Sequence, residues 1–163
     1  MKKTFIVLAA ILICNLKYGH PSCFAQPTFV WAQNMGGTGA WDIGYGIALD
    51  GGGNIYTTGI FVGTADFDPG AGTYSLTAAG SADVFVSKLD ATGSFVWARS
   101  MGGVGSWTQG YSIAVDASGN VYTTGFYDGT VDFDPGAGTN NLTSAGSTDI
   151  FVTKLDATGG LIW

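Results

Sequence analysis

Two aspartates separated by one residue occur twice in the chain, as Asp66 and Asp68 and again as Asp132 and Asp134. Carboxylates at i and i+2 point the same way from an extended backbone, and glycine carbonyls follow closely, so a Ca²⁺ site is one interpretation. The other is a turn, because each second aspartate precedes Pro-Gly, a pair typical of the central turn positions. No EF-hand or nonapeptide calcium loop is present, so the pattern favours the turn. No other cofactor is expected.

Tryptophans at equivalent places form the second candidate site, because Trp41 and Trp107 each follow a glycine-rich connection. An exposed indole beside Asp42 or Gln109 could stack on a sugar ring, which makes the two residues candidate ligand-binding residues. The alternative is structural, since a large aromatic side chain wedged between two packed sheets needs no ligand. The sequence favours the structural role and leaves ligand binding open.

The first 25 residues have the pattern of a secretory signal peptide. Lys2 and Lys3 precede an apolar run at 4–14, and a more polar stretch leads to a small residue, Ala25. The run is about half the roughly 20 apolar residues that cross a bilayer. We therefore expect cleavage after Ala25 and a secreted or cell-surface protein without membrane insertion. A retained anchor and a lipid-modified cysteine are the weaker alternatives.

Removing that segment takes away both cysteines, the single histidine and three of the six basic side chains. Twelve aspartates then face three cations, Lys88, Arg99 and Lys154, for a net charge of −9, and no glutamate occurs. This composition excludes thiolate and imidazole metal sites, Cys–His nucleophiles and the Ser–His–Asp relay. So few cations also exclude a phosphate-binding face for nucleic acid.

The rest of the chain is two copies of one unit with a period of 66 residues. Residues 29–94 align with residues 95–160 without a gap, and 44 of the 66 aligned pairs are identical. A third copy opens at Leu161. Self-similarity at such a period predicts a repeat architecture in which each unit packs against its neighbours.

Each copy contains four short runs of β-branched and aromatic residues between turns rich in Gly, Asp and Asn. We expect strands at 44–50, 54–61, 83–90 and 94–100, repeated at 110–116, 120–127, 149–156 and from Leu161 onward. Consecutive apolar residues such as Ile150, Phe151 and Val152 indicate that both faces of each sheet are covered. The stacked blades of a β-propeller cover their sheets in this way, and no segment has the period of a helix.

These strand and turn residues together resemble a known family. Residues 110–125 (GYSIAVDASGNVYTTG), followed by residues 149–156 (DIFVTKLD), are similar to the SBBP family of bacterial β-propeller repeats and more distantly to NHL-type blades. The resemblance implies one blade per copy, with the Ile113 strand innermost and the Trp97 strand outermost. It also implies a long exported or surface protein, whereas two copies fall short of the four to eight blades of a closed ring.

The expected fold is therefore all-β, an incomplete propeller of two four-stranded antiparallel sheets plus a leading strand. The expected segments are a signal peptide at 1–25, a leading outermost-type strand and connection at 26–43, a first blade at 44–109, and a second blade at 110–163 that is truncated in its last strand. Two exposed blade faces predict a fragment of a longer protein or, as the weaker alternative, a protomer that oligomerises. Further blades of the same or another chain are the expected partners.

Two classes of function remain. The one we favour is a non-catalytic structural, adhesive or ligand-binding surface module for an extracellular polysaccharide or protein, because repetition builds valency. The alternative is a fragment of a propeller hydrolase or lyase acting on glycans, which commonly needs an acid and a base carboxylate. Asp42 and Asp128 are the only aspartates without a twin in the other copy, and hence the only catalytic candidates.

Overall fold

The computed structural model describes residues 30–39 and 41–163, and every regular element in them is a β-strand. The expected signal peptide at 1–25 lies outside the described residues. The strands are β1 (Gly36–Gly37), β2 (Asp42–Leu49), β3 (Ile55–Phe61), β4 (Thr64–Asp66), β5 (Ser75–Thr77), β6 (Asp83–Leu89), β7 (Phe95–Met101), β8 (Thr108–Val115), β9 (Val121–Tyr127), β10 (Thr130–Asp132), β11 (Asn141–Thr143) and β12 (Asp149–Leu155).

The first large sheet contains the four strands expected for the first copy. Its order is β2-β3-β6-β7, and each neighbouring pair is antiparallel. The observed strand ends differ from the predicted ones by at most two residues. The all-β prediction and the four-stranded antiparallel unit are therefore confirmed.

The second large sheet has three strands, in the order β12-β9-β8, where four were expected. In the fourth position the chain makes an isolated bridge between Leu155 and Leu161, and the Trp163 carbonyl accepts the Lys154 N–H at 2.8 Å. Residues 161–163 thus occupy the place of the outermost strand without forming a ladder.

Two small hairpins were not predicted, because each lies in the long connection between the second and third strands of a copy, where no strand was expected. In the first copy, β1, β4 and β5 form a three-stranded sheet, and in the second copy, β10 pairs with β11. Each hairpin strand is three residues long and buries one side chain fully at most, Ala65 in β4 and Val131 in β10. Such strands are too short to show an alternating pattern.

The leading strand was expected within 26–43, and the described residues at its position, 30–35, form no strand. They nevertheless occupy the place of an outer strand. Trp31 packs against Gly93 as Trp97 packs against Gly159, and the Gln33 amide donates to the Gly93 carbonyl at 3.5 Å. In the next copy, Arg99 Nε donates to the Gly159 carbonyl at 3.2 Å. The segment has the right position but no neighbouring strand to complete its hydrogen bonds.

Hairpin turns of one design join the strands at one end of each sheet. In the turn at Asp50, the carboxylate accepts the N–H groups of Gly52 and Asn54, and the carbonyl accepts the N–H of Gly53. Gly53 has a φ of 78°, a conformation that favours glycine. Turns that begin at Asp90, Asp116 and Asp156 repeat these bonds. The spacing of aspartate, glycine and a small polar residue therefore fixes each hairpin.

The two large sheets pack face to face, with β8 lying against β2 and β3. Tyr56, Val84 and Val86 of the first sheet share one buried cluster with Ile113 and Leu155 of the second. Glycines let the backbones approach closely, and a Cβ placed on Gly46 would lie 3.3 Å from the Ile113 Cγ2 methyl. Burial of this shared layer holds the copies together, as the consecutive apolar residues predicted.

No helix that could span a bilayer occurs in residues 30–39 or 41–163.

Candidate functional site

The two tryptophans singled out from the sequence lie side by side. The ring centroids of Trp41 and Trp107 are 5.7 Å apart with an interplanar angle of 57°. Trp41 is 52% exposed, whereas Trp107 is half-buried. The pair therefore serves both interpretations, because it packs one copy against the next and leaves an aromatic face open to a ligand.

Hydrogen bonds on both sides of Trp107 fix its position. Its backbone N–H donates to the Asp128 carboxylate at 2.6 Å, and the Asp128 N–H donates back to the Trp107 carbonyl at 3.1 Å. The indole Nε1 donates to Gln109 Oε1 at 3.4 Å. A parallel bridge to Ala82 ties the same residue to the first sheet. The site is thus held rigid by both copies.

A second aromatic pair, Tyr45 and Tyr111, was missed by the sequence reasoning. Its ring centroids are 5.4 Å apart, and both side chains are about half exposed. Each tyrosine is the extra residue of a β-bulge, since the ladder skips from Gly44 to Gly46 and from Gly110 to Ser112. Bulges redirect a side chain out of the alternating pattern. The repeated Gly-Tyr dipeptide was the available signal.

The four aromatic residues line the free edges of the two sheets. Trp41 immediately precedes β2 and Tyr45 lies within it, while Trp107 immediately precedes β8 and Tyr111 lies within it. Four residues of strand span roughly 13 Å. The two copies therefore present two aromatic pairs in a row along one edge, and we call these four residues the aromatic edge.

The aspartates of the calcium hypothesis hold their own turns. Asp66 Oδ1 accepts the N–H groups of Asp68 and Tyr74 at 3.0 and 2.8 Å, and Asp68 Oδ1 accepts the N–H of Gly70 at 2.8 Å. These backbone donors lower the pKa of Asp66. Phe67, between the two aspartates, is buried in the core.

The second copy repeats this arrangement. Asp132 Oδ1 accepts the N–H groups of Asp134 and Asn140, and Asp134 Oδ1 accepts the N–H of Gly136. Within the described part of the chain, no three carboxylate, imidazole or thiol side chains cluster as metal ligands. The geometry accounts for both aspartate pairs as turn residues, the interpretation that the sequence favours, and Ca²⁺ binding there stays the untested alternative.

The two catalytic candidates are engaged in the same way. Asp42 Oδ2 accepts the N–H of Gly37 at 2.8 Å, and Asp128 Oδ1 accepts that of Trp107. The pattern extends to every acidic residue of the chain, since all twelve aspartates accept at least one backbone N–H. Burial raises the pKa of only one of them, Asp83, among those with a resolved shift.

A polar cleft of about 420 Å³ lies between the first hairpin turns of the two copies. Asp50, Lys88 and Asp116 line it. Asp50 Oδ2 accepts the Tyr56 hydroxyl at 3.1 Å, and Lys88 Nζ lies 5.0 Å from the centroid of the Tyr56 ring. Hydrogen bonds lower the pKa of Asp50 to about 2, and the one from the Asn54 side chain contributes most. The two carboxylates of the cleft are thus already bound to their own turns, and Lys88 lies against Tyr56.

Comparison with known families identifies part of the chain. Residues 96–125 match the family model of the SBBP β-propeller repeat. The chain contains an SBBP β-propeller repeat. The matched SBBP segment runs from β7 through β9, and by the 66-residue period its counterpart in the first copy is 30–59. No curated protein matches the chain in sequence. The described residues hold two blade-like sheets and do not close into a ring.

Proposed function

We propose that this SBBP repeat protein is a non-catalytic binding module that is exported to the cell exterior, where its aromatic edge holds an extracellular polysaccharide. One observation carries the non-catalytic part: every carboxylate of the chain is tied to a backbone N–H. Asp42 and Asp128, which have no twins, hold Gly37 and Trp107 in place. They act as structural groups in this proposal, which disfavours the glycan-cleaving alternative.

The aromatic edge supports the choice of a sugar ligand. Indole and phenol rings offer an apolar face with a polar rim, which suits the C–H faces and hydroxyls of a sugar ring. Trp41 and Tyr45 are about half exposed, and each is paired with its counterpart in the next copy. Twelve aspartates against three cations give residues 30–163 a net negative charge, which disfavours an anionic polymer. A neutral polysaccharide that contacts successive aromatic pairs is the ligand that fits best.

Isothermal titration calorimetry with neutral oligosaccharides tests the proposal, using cello-, chito-, malto- and xylo-hexaose in turn. We expect one of them to bind, and Trp41→Ala to weaken binding on the order of tenfold, which corresponds to about 1.4 kcal/mol. Trp163→Ala is the matched control, because Trp163 is 54% exposed, as Trp41 is, but lies outside the aromatic edge. Its affinity should equal that of the unmodified chain.

Two results contradict the proposal. Release of reducing ends from any of these sugars, abolished by Asp42→Asn or Asp128→Asn, would make the chain an enzyme. The absence of binding to all of them, together with binding to a protein partner that Trp41→Ala abolishes, would make the aromatic edge a protein-binding surface.

A further inference from the structure

Side chains at equivalent positions of the two sheets differ sharply in their exposed fraction. Val84 and Val86 of the first sheet are fully buried beneath the second sheet. Their equivalents 66 residues later, Ile150 and Val152, are 84% and 53% exposed. We call this outer surface of the second sheet the following face.

The opposite surface of the first sheet shows the same contrast. Ile113 in β8 is buried against the first sheet, whereas its equivalent in β2, Ile47, is 67% exposed. The contrast recurs two residues further along each strand, where Val115 of β8 packs against the core and its equivalent in β2, Leu49, is exposed. We call the surface around Ile47 and Leu49 the preceding face.

The following face contains an open groove that matches the preceding face. An apolar groove of about 230 Å³ lies on the second sheet, lined in part by Tyr122, Thr124 and Val152. In the first sheet the equivalents of these three residues, which are Tyr56, Thr58 and Val86, are completely buried. What buries them is β8, the strand that carries Ile113.

We infer that a second copy of this chain docks head-to-tail, with the preceding face of one copy on the following face of the other. The chain already makes this interface between its own two sheets. The buried contact between the sheets uses Val84 and Val86 on one side and Ile113 on the other. The two open faces present Ile150 and Val152 on one side and Ile47 on the other, in the same repeat positions.

The close approach of the two backbones supports this docking, as the side-chain contacts do. A Cβ on Gly110 would overlap Thr58 and lie 2.8 Å from the Val84 Cγ2 methyl, so the second sheet needs glycine there to seat on the first. The equivalent residue of the preceding face is Gly44, where a Cβ would meet only the Thr57 methyl, at 3.4 Å. Its counterparts on a docked second copy are Thr124 and Ile150.

The same docking supplies a backbone partner for the leading segment. Residues 31–35 hold the position of an outer strand without a ladder, and β12 pairs on its outer side only through Leu161–Trp163. By the 66-residue period, residues 31–35 of a docked copy align with the outer edge of β12. They displace residues 161–163, which are held by the Leu155–Leu161 bridge and by backbone hydrogen bonds to Lys154, and extend the pairing along the rest of that strand.

A contact between two different faces is heterologous and propagates until it closes. Propellers close with four to eight blades. A chain that contributes two blades therefore closes as a ring of two, three or four copies.

The mass of the full chain in solution, measured by light scattering during size-exclusion chromatography over a wide concentration range, tests the inference. We expect a discrete oligomer of two to four chains. Ile150→Asp and Ile47→Asp each introduce a charge into one face and should each give a folded monomer. Val104→Asp is the control, because Val104 is 95% exposed in a loop outside both faces, and its mass should equal that of the unmodified chain.

Mixing the two monomeric variants gives the decisive result. The Ile47→Asp chain keeps an intact following face and the Ile150→Asp chain an intact preceding face, so an equimolar mixture should form a dimer and grow no further. Dimer formation also shows that both variants are folded. A monomeric unmodified chain, an Ile47→Asp chain that associates by itself, or a mixture that stays monomeric would each overturn the inference.

Discussion

Replacement of Gly110 by alanine probes the contact between the sheets, and Gly44 supplies the matched control one repeat earlier. A Cβ on Gly110 would overlap the Thr58 hydroxyl and lie 2.8 Å from Val84 Cγ2. A Cβ on Gly44 meets only the Thr57 methyl, at an ordinary 3.4 Å. Neither glycine has a positive φ, so alanine suits the backbone at both places.

The difference in free energy of unfolding between the two variants follows from this geometry. Forcing an extra methyl into a packed interface costs about 1 to 3 kcal/mol. Replacing glycine by alanine at a compatible position stabilises by about 0.4 to 1 kcal/mol through the unfolded chain, and this effect is common to both variants. Gly110→Ala should therefore be less stable than Gly44→Ala by about 1 to 3 kcal/mol, and Gly44→Ala should equal or exceed its parent.

Urea unfolding followed by circular dichroism measures this difference. Both substitutions are made in the Ile47→Asp background, so that association through the preceding face contributes nothing. If the two variants unfold with free energies within about 0.5 kcal/mol of each other, Gly110 does not lie against the first sheet and the packing described above is wrong.

Three further predictions concern the aspartates. In the Ile47→Asp background, Asp83→Asn should lower the free energy of unfolding by about 1 to 3 kcal/mol, because both carboxylate oxygens accept an N–H and an amide replaces one acceptor by a donor. Its twin Asp149 accepts one N–H, so Asp149→Asn should lower it by under about 0.5 kcal/mol. Urea titrations measure both changes. Hydrogen bonds lower the pKa values of Asp50 and Asp116, and the largest contribution comes from the side chain of Asn54 or Asn120. The stabilisation of the fold by these two carboxylates is therefore complete above about pH 4 and is lost as the pH falls towards 2. Thermal melts should show the melting temperature falling across that window, and a constant value would contradict the turn geometry. Adding Ca²⁺ to chelated protein should leave the melting temperature unchanged, because Asp66 and its equivalents already hold backbone amides, and a rise would restore the calcium hypothesis.

The strands and turns that follow from local chemistry were predictable from the sequence. Apolar runs such as residues 84–86 located the strands, and the spacing of aspartate and glycine after residue 50 located the hairpins. The repeat itself indicated the packing, since a sheet with apolar residues on both faces needs a neighbour on each side.

Features that depend on distances between copies were not predictable. The pairing of Trp41 with Trp107 depends on how closely two sheets approach, which no local pattern records. The bulges that redirect Tyr45 and Tyr111 arise where a glycine precedes a tyrosine, a pattern that fits regular strands equally well. The leading segment failed as a strand because a ladder needs a partner, and a sequence pattern does not show whether one is present.

Contacts between the two sheets in solution test the central claim, that successive copies pack face to face as propeller blades. Nuclear Overhauser effects measured on the isotope-labelled chain report them directly. We predict cross-peaks from the Ile113 γ2 methyl to the Gly46 α protons and from a Val84 methyl to the Gly110 α protons. A spectrum that contains the cross-strand peaks within each sheet but lacks both of these would show two sheets that do not stack, and would contradict the account.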